Sequence, residues 1–198
     1  MNQINAIQKK DIFSREDYKS KRKNLREKMV ARKKNRRIEI GPHMTFYFEN
    51  RDTVIHQINE MVYIENGGED QVKDEILAYK SLIPNGKELV ATVMIEIDNP
   101  VKRAEFLSKM GGFEKTLEIN INQINIKGKA EVDLDRTTAD GKASSVQFVH
   151  FQFNDKEIKY LMDNKNSIRI SIEHKHYRHS TIMNINTANE LINDFESF

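Results

Sequence analysis

GPHMTFYFENRDTVIHQINEM, residues 41–61, decides how this chain is read, because its residue types change from those of a strand to those of a helix across one short turn. Thr45, Phe46, Tyr47 and Phe48 are β-branched or aromatic and suit a half-buried pleated surface. Asn50, Arg51 and Asp52 then supply turn and helix-start chemistry. From Asp52 onward the apolar period is helical. Val54, Ile55, Ile58, Met61 and Val62 fill one arc, while Asp52, His56, Glu60 and Tyr63 recur every three or four residues on the other. A carboxylate, an imidazole and a second carboxylate are thus neighbours on one helix face. That face suits metal ligation, or acid–base work with Asp52, His56 and Glu60 as the catalytic groups; it equally suits a solvated polar face opposite a core stripe.

Upstream, Arg37 to Ile40 alternates as a short strand and Gly41-Pro42 turns it into the next. Ser14 is an N-cap with Glu16 and Asp17 in the first turn, which predicts a helix from Arg15 to about Asn35. Tyr18, Leu25 and Met29 give it only a thin apolar stripe, so it rests on a surface instead of crossing a core. Lys19 to Arg37 carries eleven basic residues against Glu27 alone, although the whole chain has a net charge of only +2. A basic helical extension over residues 1–36 therefore precedes a more acidic body, residues 37–198. Such a segment meets nucleic acid, an anionic membrane surface, an acidic partner or its own domain. No aromatic residue lies between Tyr18 and Phe46 to stack on bases, which argues against nucleic acid. An acidic partner, a second copy of the chain, or the chain's own body remain.

Downstream, Asn66-Gly67-Gly68 stops the first helix and Glu69 to Tyr79 starts a second. LVATVMIEI, residues 89–97, is apolar enough for a central strand covered on both faces. A helix from Asn99-Pro100 to about Met110 follows. Alternation then runs from Thr116 to Ile126, with a change of phase at Asn122-Gln123 that marks a bulge or a turn. Further strands are expected at Val146–Phe153, through Ile168, Ile170 and Ile172, and at Thr181–Ile185 as a hairpin partner. Helices are expected at Asp155–Met162 and Thr187–Phe195. The pattern predicts a single α+β domain with a mixed, largely antiparallel sheet flanked by helices.

At 198 residues the chain can bury one substantial core. It has no cysteine, which excludes disulfides, thiol catalysis, cysteine-bound zinc and any cysteine-ligated iron–sulfur cluster. It has no apolar run long enough for a membrane span, and MNQINAIQKK lacks the apolar centre of a secretory signal, so a cytoplasmic location is expected.

His174, His176 and His179 form the strongest chemical pattern, because alternate residues of a strand share a face and His-x-His can present two imidazoles to one divalent metal such as Fe, Zn or Mn. His179 would return as a third ligand, with Glu49, Glu60, Glu173 or His150 completing the set. The alternative is a polar hairpin facing solvent. His150 lies among Phe148, Phe151 and Phe153, where a hydrogen-bonded core histidine is the simpler reading. Asp140 to Ser145, preceded by Arg136, Thr137 and Thr138, has the composition of a phosphate-cradling loop without Walker spacing, and also that of a strand-connecting turn.

FYFENRDT, GGEDQVKDEILAYKSLIPNGKELVATVMIEIDNPVKR, RTTADGKASSVQF and the HKHYRH segment together resemble the uncharacterised bacterial family known as domain of unknown function thirty-five-oh-one. The resemblance covers most of the chain and implies no activity residue by residue. Members of that family tend to be encoded beside rubrerythrin-like and iron–sulfur, heterodisulfide-reductase-like proteins, which implies an accessory role, with such a redox partner, in peroxide defence or electron transfer. Three expectations follow: an accessory protein holding one non-haem metal through histidines, a metal-free adaptor or oligomerisation module using the basic helix, and a small-molecule enzyme using Asp52, His56 and Glu60.

Overall fold

The alternating stretches pair into one eight-stranded sheet in the computed structural model, which describes residues 6–131 and 142–195. The strands are β1 (Arg37–Ile40), β2 (Met44–Glu49), β3 (Glu88–Ile95), β4 (Leu117–Ile121), β5 (Ile124–Ala130), β6 (Val146–Gln152), β7 (Ile168–His174) and β8 (Tyr177–Ile182). Their spatial order is β1-β2-β3-β6-β5-β4-β7-β8. Every pairing is antiparallel, so the sheet is not mixed. The reason lies in the connections. β1–β2, β4–β5 and β7–β8 are short hairpins, and the three helix-bearing connections, β2–β3, β3–β4 and β6–β7, each lead to a strand of opposite direction.

Helix α1 (Arg15–Lys34) precedes the sheet, α2 (Arg51–Glu65) and α3 (Gly68–Ala78) follow β2, α4 (Pro100–Lys109) links β3 to β4, α5 (Asp155–Asp163) links β6 to β7, and α6 (Ile185–Ile192) follows β8. The phase change in the Ile-rich stretch is a turn: Asn122 has φ 52° between β4 and β5. The return strand of the last hairpin begins at Tyr177, not at Thr181, because only Lys175 and His176 make the turn and Ile185 already belongs to α6.

Residues of alternate parity point inward from every strand. Phe46 and Phe48 of β2, Ala91 and Val93 of β3, Phe151 of β6 and Ile170 of β7 meet in one core. Leu107, Met110 and Phe113 cover one end of it, and Ile158, Leu161 and Leu191 contribute from α5 and α6. β3 is also covered outside, where Val90 packs with Val54, Ile58 and Val62 of α2 and Val72 of α3. The described part of the Asp140–Ser145 loop belongs to this packing: Ala143 is buried and its N–H donates to the Leu107 carbonyl, while Ser144 Oγ accepts from the Val146 N–H. Asp140, Gly141, Arg136, Thr137 and Thr138 lie outside the described residues.

The curl of the sheet brings its first and last strands together without a backbone ladder between them. Side chains close the seam instead. The Tyr177 hydroxyl donates to the Ile40 carbonyl at 2.6 Å and accepts from the His43 N–H at 3.0 Å. Thr181 Oγ1 donates to the Glu39 carbonyl at 2.8 Å. Beyond the start of β1, the buried Arg36 donates to the Phe48 and Glu49 carbonyls and forms ion pairs with Glu190 and Asp194, tying β2 to α6. Gly41 makes the clasp possible. Its φ is +66°, and a Cβ there would lie 2.6 Å from both the His179 ring and the Tyr177 hydroxyl.

Two substitutions measure the seam. Tyr177→Phe leaves the buried Ile40 carbonyl without its hydroxyl donor and is expected to lower unfolding free energy by about 1–3 kcal/mol. Gly41→Ala adds at least the cost of a left-handed alanine, about 1–2 kcal/mol, before any steric clash. Both are read from the urea midpoint at constant m-value.

Candidate functional site

The polar face of α2 is where the sequence places its acid–base candidates, and the structure fills that face with α1. Asn50 caps α2, its side-chain oxygen accepting the Thr53 N–H, and this fixes Asp52, His56, Glu60 and Tyr63 along one side. Ser14 caps α1 in the same way through the Asp17 N–H. Tyr18 is buried, Leu25 and Met29 are half-buried, and this narrow stripe packs the basic helix against α2. Glu60 accepts from Arg22 Nε at 2.9 Å, from Arg22 Nη2 at 2.7 Å and from the Tyr18 hydroxyl at 2.8 Å. Asp52 is ion-paired with Arg32. The guanidinium groups of Arg22 and Arg15 sit over the Tyr63 ring, 4.7 and 5.4 Å from its centre.

These contacts set the protonation states. The hydrogen bonds from Arg22, helped by Tyr18, hold Glu60 down at about 2. Burial, then the neighbouring Glu60, raises the Tyr18 phenol. Burial and the charge of Lys33 lower His56, so it stays neutral near neutral pH. Glu60 is therefore held as an anion by Arg22, and with the Asp52–Arg32 ion pair it docks α1 on this face. Elsewhere on α1, Lys19, Lys23, Lys28 and Lys34 are exposed and have no ion pair among the described residues.

The three hairpin histidines are not presented on one strand face. The turn falls at Lys175–His176, so His174 ends β7, His176 sits in the turn and His179 lies on β8. His174 is buried, its Nδ1 facing the His176 N–H at 3.4 Å, and it also hydrogen-bonds the Gly111 backbone; burial lowers its pKa. His179 packs on Tyr177, ring centres 4.3 Å apart, over Gly41. Glu49 lies at the far end of β2 and accepts from Thr92 and Thr53 hydroxyls at 2.8 and 2.5 Å. Glu60 is held by Arg22. Among the described residues, no three His, Asp or Glu side chains are arranged to hold a metal ion.

His150 belongs to a different cluster. It is on the outer face of β6, opposite the core-facing Val149 and Phe151, and stands between two carboxylates: Nδ1 lies 3.0 Å from Glu88 and Nε2 3.3 Å from Glu131. Glu88 is buried and also accepts from the Asn85 N–H and Gln152. The bond to Glu88 raises the His150 pKa despite its burial. Sequence alone offered only a weak signal, the parity shared by His150 and its neighbours, since strand pairing between β3 and β6 is what brings Glu88 alongside.

A family model described as "Protein of unknown function (DUF3501)" matches residues 6–195. The fold is similar to the crystal structure of a novel protein of unknown function from Burkholderia pseudomallei K96243, with a TM-score of 0.88 and 28% sequence identity over 96% of this chain and 100% of that one. No curated protein matches the chain.

Opposite pH responses separate the clusters. With its folded pKa raised, His150 contributes stability that is complete below its ordinary value of 6.5 and is lost as pH rises through the folded value. His150→Gln is therefore expected to cost stability at pH 5.5 and progressively less toward pH 9, about those values, in urea titrations. Glu60, with its pKa depressed, contributes stability that is complete above 4.5 and is lost as pH falls toward about 2. Glu60→Gln should flatten that acid limb of the stability profile while leaving the limb set by His150 unchanged.

Proposed function

This chain belongs to the DUF3501 family, and from that premise we propose that it is a non-catalytic cytoplasmic adaptor whose basic helix α1 engages an acidic protein partner. One observation carries the reading: α1 meets Asp52 and Glu60 through Arg32 and Arg22, while Lys19, Lys23, Lys28 and Lys34 stay exposed around it with no ion pair among the described residues. A 20-residue helix is about 30 Å long, so these cations are spread along an extended basic surface. Cations with no internal partner raise association rates with acidic surfaces and give a strong dependence on salt. An acid–base role for Asp52, His56 and Glu60 requires free carboxylates, and both are held by arginines.

The resemblance noted from the sequence directs the search for the partner to rubrerythrin-like and iron–sulfur proteins of peroxide defence or electron transfer. In that setting the redox centre belongs to the partner, consistent with a chain that has no cysteine. The test is binding of a rubrerythrin-like protein by calorimetry, comparing wild type with a Lys19→Glu/Lys23→Glu/Arg26→Glu/Lys28→Glu variant. Charge reversal is preferable to removing residues 1–36, since truncation would also delete Arg36 and uncover Glu60. Affinity is expected to fall at least tenfold in the variant, at about 1.4 kcal/mol per decade, and to fall with added salt in wild type. Unchanged affinity would remove α1 from the interface. Loss of a dimer in light scattering, with no partner bound, would assign the helix to self-association.

A further inference from the structure

We infer that the open end of the β1–β8 seam is a groove that takes an extended acidic segment of the partner by pairing with free strand edges. This rests on the adaptor reading and locates a second part of the interface.

Backbone parity identifies the edges. The Phe48 N–H donates to the Arg36 carbonyl, and bonded pairs alternate in an antiparallel ladder, so Ile38 turns its backbone groups to β2 while Arg37 and Glu39 turn theirs into the seam. The Met183 N–H donates to the Ile168 carbonyl, so by the same rule Ser180 and Ile182 turn theirs into the seam from β8. Thr181 satisfies the Glu39 carbonyl. The backbone groups of Arg37 and Ile182 are left beside a cavity of about 720 Å³ bounded by α1, β1 and β8.

Its walls define the occupant. Val30 and Ile182 line it, and they are 71% and 61% exposed, large values for aliphatic side chains facing one cavity. Lys33 and Lys34 stand on the α1 side with no ion pair among the described residues, and Arg37, which shares Glu39 and Glu96, stands on the β1 side. An extended chain places alternate side chains on opposite faces. A segment alternating carboxylate and aliphatic residues therefore sets its apolar side chains on Val30 and Ile182 and its charges beside Lys33, Lys34 and Arg37, while its main chain bonds an open edge. Lysines also guard edges against unwanted pairing, and that simpler role admits no bound segment.

The probe is a synthetic peptide of about ten residues alternating Glu and Val, sized to one strand, titrated into ¹⁵N-labelled full-length protein and compared with a Glu-only peptide of the same length. Expected are amide shifts within residues 30–40 and 178–184, slowed hydrogen exchange at Arg37 and Ile182, and about tenfold weaker binding in both Val30→Ser/Ile182→Ser and Lys33→Glu/Lys34→Glu. Both pairs lie on the groove wall, so native spectra of the free variants show that the loss is local. Equal binding of the Glu-only peptide, with shifts confined to residues 19–28, overturns the groove and leaves the adaptor reading standing. Binding of neither peptide at either surface, together with intact partner affinity in the α1 variant described above, overturns both. Concentration-dependent shifts at the seam without peptide make a second copy the occupant and overturn the inference.

Discussion

The closure of the sheet by side chains is the constraint on which the rest of this structure depends. A curled sheet either completes its hydrogen-bond ladder or leaves two edges facing each other. Here the Tyr177 hydroxyl and Thr181 span the gap to the carbonyls of Ile40 and Glu39, and beside it Arg36 ties β2 to α6. Because the clasp at Ile40 is tight, Gly41 must be glycine and His179 must lie flat over it. At the other end a cavity of about 720 Å³ opens between α1, β1 and β8.

The basic helix illustrates how a chemically suggestive pattern becomes structural. Asp52, His56 and Glu60 do share a face, but that face is opposed by Arg32, Lys33, Arg26 and Arg22 of α1. Exposed ion pairs are individually weak, so the docking draws also on the buried Tyr18 and on the stacking of guanidinium groups over Tyr63. The result is a helix whose inner charges are satisfied and whose outer charges remain available, a division that neither helix specifies alone.

Local chemistry determined most of the elements from sequence. The cap at Ser14, the helix start at Asn50, the stop at Asn66 and the alternation of isoleucines in β4 and β7 act over a few residues, so a short window reads them correctly. The order of the strands, the length of the last hairpin and the partners of each charge depend on residues far apart in the chain. His150 is the clearest instance. Its aromatic neighbours suggested the core, yet a one-residue step in strand parity turns it outward to Glu88, 62 positions away, and to Glu131. The hairpin histidines differ for the same reason, since a two-residue turn reassigns which of them share a face.

The sequence by itself therefore determined an α+β body, a basic amphipathic helix, the lack of thiol chemistry and membership of a family. Periodicity, capping and composition are properties of neighbouring residues and survive without a fold. Only the tertiary structure decided that the sheet is wholly antiparallel, that α1 covers the polar face of α2 and that an edge groove remains between β1 and β8. Those outcomes are set by long-range pairing, in which Arg22 meets Glu60 and Tyr177 meets Ile40 because the packed core leaves them no other arrangement.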